Sequence, residues 1–136
     1  MSVTSNLQRR TGLLLASALA LITVWHAYWA LGGRWGLAAA LGGPDKPIPS
    51  VWLIWLVTGL LVAAVLVVLG RLGLWGRQLP GWVFSVGCWG LAVALALAAV
   101  LNFSADTGWE VFCFGPVATL LALGAVVVAR GPRRDA

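Results

Sequence analysis

Four apolar runs alternate with short connections rich in Gly, Pro and polar residues along the 136-residue chain. They cover about residues 12–31, 51–69, 81–101 and 108–129, and each reaches the roughly 20 residues needed to cross a bilayer at ~1.5 Å per residue. The pattern predicts an all-α integral membrane fold, a four-transmembrane-helix up-down bundle, built as one domain over residues 1–136. Gly32-Gly33, Gly42-Gly43-Pro44 and Pro47-Ile48-Pro49 punctuate the first connection, residues 70–80 form the second and residues 102–107 the third. Such short loops make consecutive helices antiparallel neighbours. The first run follows Arg9 and Arg10 as a secretory signal would, but it is too long and lacks a small-residue cleavage pattern, so it is read as a retained helix.

Composition agrees: 61% of residues are hydrophobic, 10% are charged and the mean hydropathy is +0.96, against roughly 45–50% and 25% in globular domains. The net charge of +5 does not signal nucleic acid, because the basic residues stand singly or in pairs beside apolar runs, where they orient helices. Arg9, Arg10, Arg71, Arg77, Arg130, Arg133 and Arg134 fall on one side, and Arg34 and Lys46 on the other, seven against two. The positive-inside rule then predicts a multi-pass protein of the cytoplasmic (inner) membrane with both termini cytoplasmic, N-in/C-in. Trp75 and Trp82 fall at the inner interface, and Trp29, Trp35, Trp52 and Trp109 near the outer one, as aromatic belts do.

In that orientation Asp45, Asp106 and Glu110 gather at the outer end with His26, Tyr28, Arg34, Lys46 and Asn102. His26 lies five residues before Leu31, roughly 7–8 Å below the boundary, and intramembrane ionisable groups are costly unless they serve a purpose. Three readings stand for His26: an interfacial residue whose polar tip reaches the headgroups, a group lining an internal site, or a side chain that serves only a helix–helix hydrogen bond. Asp106 reads as a cap of the fourth helix, while capping and proton handling are balanced for Glu110. Asp106, Glu110, Cys113 and Val117 follow the spacing of one helical face. Trp25 and Trp29 stack one turn apart, with His26 and Tyr28 on opposite flanks. Among the nine tryptophans, Trp25 and Trp55 lie deep enough for an aromatic cage, since an indole face attracts cations. Pro116 removes a backbone donor and predicts a kink in the fourth helix.

Cys88 and Cys113 fall at depths that differ by roughly 10 Å in a ~30 Å core, too far apart for a disulfide, so both are expected as free thiols. With no CxxC, one histidine and scattered carboxylates, neither a metal site nor a cofactor is expected.

His26-Ala27-Tyr28-Trp29-Ala30-Leu31-Gly32-Gly33-Arg34-Trp35-Gly36 resembles the first-helix signature of a family of small four-span bacterial membrane proteins of unknown function. The resemblance implies the four-span fold and no activity.

The residues support a lipid-like or isoprenoid ligand in an outer-leaflet pocket. Glu110, His26 and Asp106 are the candidate acid/base residues for isomerase or cyclase chemistry, and Trp25, Trp29, Tyr28, Trp55, Asn102, Trp109 and Cys113 the candidate ligand contacts. The alternatives are a proton-coupled transporter of hydrophobic cations and a non-catalytic accessory subunit. In the latter, small-residue faces such as Ala16/Ala20 and Gly87/Gly90 pack on a second copy or another membrane protein. Membrane lipid is the expected partner, and nucleic acid is not.

Overall fold

A computed structural model describes residues 3–41, 43–106 and 108–131, with side chains from Asn6 onward. Gly42, Thr107 and the tail residues Arg133, Arg134 and Asp135 lie outside the described residues. Among those described, all regular structure is helical: α1 (Val3–Ala30), the single turn α2 (Leu37–Ala40), α3 (Val51–Arg71), α4 (Gly81–Phe103), a π-helical turn (Glu110–Phe114) and α5 (Gly115–Arg130). Four segments are long and apolar enough to span a membrane: Asn6–Ala30, Val51–Arg71, Gly81–Phe103 and Glu110–Arg130.

Two boundaries differ from those the apolar pattern predicts. The first helix begins at Val3 instead of residue 12, because loss of apolar character marks the bilayer edge and not the end of a helix. Gln8, Arg9 and Arg10 are sound helix formers. The last span is not one uniform helix. Its first five residues wind as a π turn, with the Gly115 N–H reaching back to the Glu110 carbonyl, and the helix runs straight on into α5, where Pro116 has no N–H to donate back into that turn. The irregularity expected from Pro116 is thus taken up by a wider turn ahead of it. The extra residue breaks the face expected from Asp106, Glu110, Cys113 and Val117. Asp106 lies in a bend outside the helix and Val117 is exposed.

The helices close in the order α1, α3, α4, α5, with α5 returning to α1. Gly12 meets Leu72, Gly124 meets Thr11 and Leu15, and Gly115 meets Phe103, so neighbours run antiparallel. The continuous core is built from Leu15, Ala16, Leu19, Val68, Cys88, Ala92, Ala125, Val128 and Ala129. These are mainly small residues, which let backbones approach closely where lipid removes the hydrophobic drive for association. The core occupies the middle of the bundle and the half toward Arg71. Leu60, Val93, Leu97 and Leu120 point outward, each more than half exposed. An apolar surface this continuous is suited to hydrocarbon and not to water.

Candidate functional site

The exit of α1, at the end opposite Arg71, is closed by two backbone hydrogen bonds. Gly32 takes φ +97°. Its N–H donates to the Trp29 carbonyl at 3.0 Å, and the Gly33 N–H donates to the Tyr28 carbonyl at 2.9 Å. This pair of bonds is the Schellman arrangement, in which a left-handed residue after the helix lets two of the last carbonyls find donors. The same pattern closes α3, where Gly73 has φ +74°, with Gly73 donating to the Gly70 carbonyl and Leu74 to the Leu69 carbonyl. At the α1 exit the cap also positions rings. A Cβ on Gly33 would fall within the Tyr28 ring, and Gly36, at φ +74°, lies against the edge of Trp25.

Around Trp25 the aromatic side chains form one cluster. Its ring centroid is 5.0 Å from Trp35, 6.2 Å from Tyr28 and 6.2 Å from Trp29, the last pair edge to face. The Trp29 Nε1–H donates to the Trp35 carbonyl at 2.9 Å, so the chain leaving the helix is folded back onto its final turn. Trp35 is 72% exposed and Tyr28 44%. The cluster therefore presents ring surface outward while its base is held by the cap.

His26 sits on the flank of this cluster, its ring 5.0 Å from that of Trp29. Its Nδ1 lies 2.9 Å from the Ile22 carbonyl, and a carbonyl only accepts, so Nδ1 carries the proton. In the neutral ring Nε2 is then the acceptor, which makes it the atom available to a ligand.

The other sequence-derived candidates are distributed around the same end. Glu110 opens the π turn and is half-buried, Cys113 lies within the same turn, and Trp109 beside it is exposed. Asn102 donates from Nδ2 to the Ala98 carbonyl of its own helix at 2.7 Å. Trp55, 46% exposed, makes no ring contact with the cluster among the described residues. The antiparallel register set by Gly124 on Thr11 and by Gln8 on Val128 carries His26 to the level of the Glu110 turn along the bundle axis. The π turn packs on α4 and α5. Among the described residues no three His, Cys, Asp or Glu side chains gather as a metal-binding group.

Charge counting treats Arg71 only as a topology signal, yet it is among the most constrained polar residues of the opposite end. It is 7% exposed, and its guanidinium donates to the carbonyls of Ala129 at 3.2 Å and Gly131 at 2.5 Å. Gln8 donates from Nε2 to the Val128 carbonyl at 3.2 Å, and the Arg130 guanidinium stands 5.8 Å from the centre of the Trp89 ring. Three helices thus tie the last turn of α5, whose final carbonyls lack donors of their own. The sequence hint is an arginine in the final turn of an apolar span, but no spacing identifies its acceptors.

Comparison with known proteins finds one family, described as a protein of unknown function (DUF3995), whose profile matches residues 19–111. No curated protein and no solved structure matches the chain.

Proposed function

The chain belongs to the DUF3995 family of proteins of unknown function, and we propose that it is a multi-pass membrane protein that binds a lipid-like or isoprenoid amphiphile at the end where α1 exits. The observation that carries this reading is the Trp25 cluster. Several aromatic rings are fixed by a helix cap and by the Trp29–Trp35 bond, with Tyr28 and Trp35 left open to the surroundings. Rigid rings offer apolar contact at little entropic cost, and their faces attract cationic groups. The packed core lies in the middle and the Arg71 half of the bundle, so the half around His26 is the one less committed to internal packing.

Within this reading His26 offers Nε2 as an acceptor to the polar part of the ligand. Glu110, at the same level of the bundle, is the second candidate for proton handling, with Asp106 behind it in the connection. Binding is the function supported; acid/base turnover further requires that one ligand reach both His26 and Glu110. The accessory-subunit reading has less support, because two of the small residues it relies on are used within the chain. Ala16 belongs to the core and Gly87 packs against Val67.

The test is mass spectrometry of the lipids retained by gently solubilised protein, compared with the bulk membrane extract. One amphiphile class enriched on wild-type protein and lost from Trp25→Leu is the expected result. A retained profile equal to bulk lipid in both would refute the reading.

A further inference from the structure

Resting on the amphiphile-binding reading above, we propose that the first connection recognises a phosphate headgroup, with Arg34 and Lys46 as its two cationic contacts. A concavity of about 190 Å³ is lined by both side chains together with Leu37, Leu41, Pro44 and Ile48. Arg34 and Lys46 form no ion pair among the described residues. Asp45, next in the chain to Lys46, is not part of the lining.

The backbone around Arg34 is fixed on both sides. Gly33 is held by its bond to the Tyr28 carbonyl and Leu37 by its bond to the Arg34 carbonyl at 3.2 Å, while the carbonyl of Trp35 accepts from Trp29. A guanidinium on a preset backbone presents a planar fork to paired oxygens, and the lysine adds a mobile point charge. Two cations suit an anion of more than one charge, and a phosphate monoester carries about −1.5 to −2 at neutral pH. The lining between the cations is apolar, as the ester-linked carbons of an amphiphile require. Arg34 is flanked in the chain by Gly33 and Trp35 of the aromatic exit, so the concavity adjoins that exit through the backbone. A lipid headgroup and free inorganic phosphate share this chemistry.

The experiment uses full-length protein in phosphatidylcholine vesicles, titrated with phosphatidic acid carrying brominated chains, which quench tryptophan on contact. Brominated phosphatidylcholine serves as the control. Phosphatidic acid should quench at lower mole fraction, and this preference should fall about tenfold or more in R34Q/K46Q, the scale of losing charge-assisted hydrogen bonds. It should persist in R77Q, which removes a charge from a different loop. An unchanged preference in R34Q/K46Q, or an equal loss in R77Q, overturns the proposal; helical circular dichroism and a single gel-filtration peak establish that each variant is folded. Relief of quenching by inorganic phosphate supports the site and makes soluble phosphate its source, whereas no relief makes the lipid headgroup the source. The two readings fail separately. No saturable quenching by either brominated lipid sinks the amphiphile reading, and saturable quenching without phosphate preference sinks only the headgroup.

Discussion

The indole of Trp29 donates its Nε1–H to the carbonyl of Trp35 across 2.9 Å, tying the last turn of α1 to the chain that has just left it. This contact accounts for the spacing of the first-helix string. Two glycines must intervene, one to take a positive φ and end the helix, the other to pass beneath Tyr28 without a side chain. The motif is thus a structural unit before it is a functional one.

Gly33→Ala should lower stability by about 0.5–1.5 kcal/mol, the cost of pushing a side chain off its preferred rotamer, because its methyl group meets the far end of the Tyr28 ring, which is 44% exposed and must swing aside. Gly59→Ala is the internal control. It lies within α3 with no atom within 4 Å of the new methyl, so relief of glycine's entropy should leave stability equal or raised by up to about 1 kcal/mol. Thermal unfolding in one detergent, followed by circular dichroism, checks both. Equal midpoints for the two variants would remove Gly33 from the cap argument.

Arg71→Leu should destabilise the protein by about 1.5–3 kcal/mol, the scale of hydrogen bonds to a charged group, and should act first on the end of α5. Hydrogen exchange is the informative readout. Amides near Ala129 should exchange faster in the variant, while those of α1 near Trp25, at the opposite end, should keep their protection. Uniformly faster exchange would mean that Arg71 supports the whole bundle and not the α5 terminus alone.

Fold class was legible because bilayer thickness leaves a direct trace in run length, and each span the pattern predicts is present as a helix. Less legible were features set by single backbone contacts. The π turn follows from Pro116 together with the packing of Gly115 on Phe103, and periodicity alone treats those residues as an ordinary helix. The sequence marks His26 as unusual, but only the bond to Ile22 identifies which of its nitrogens remains available. Arg71 was counted for its charge, and its carbonyl acceptors lie 58 and 60 residues away, beyond any local pattern.

Orientation rests on the seven-to-two distribution of Lys and Arg. With the termini cytoplasmic, a cysteine replacing Asp45 should react with a membrane-impermeant maleimide in intact cells. Native Cys88, buried in the core, should stay unlabelled until the protein is unfolded, and Cys113, half-buried in the π turn at the same end as Asp45, is replaced by Ser so that only the new thiol reports. Labelling of the Asp45 position only after lysis would reverse the orientation and move the Trp25 cluster to the cytoplasmic side.

His26 can be divided into its parts by substitution. Asn102 already makes the bond that an asparagine would make at position 26, donating from its side chain to the carbonyl four residues earlier at 2.7 Å, as His26 does to Ile22 at 2.9 Å. His26→Asn should therefore keep the back-bond and the fold while removing Nε2 and the ring contact with Trp29. His26→Phe should keep a ring beside Trp29 but lose both nitrogens. If Nε2 contacts the ligand, both variants lose retention of the enriched amphiphile, with unfolding midpoints near that of wild type. If the ring serves only to support Trp29, His26→Phe retains the ligand and His26→Asn does not. Full retention by both would place His26 outside the site and leave the aromatic cluster to bind alone. Lipid mass spectrometry on the three proteins, purified in parallel, distinguishes these outcomes.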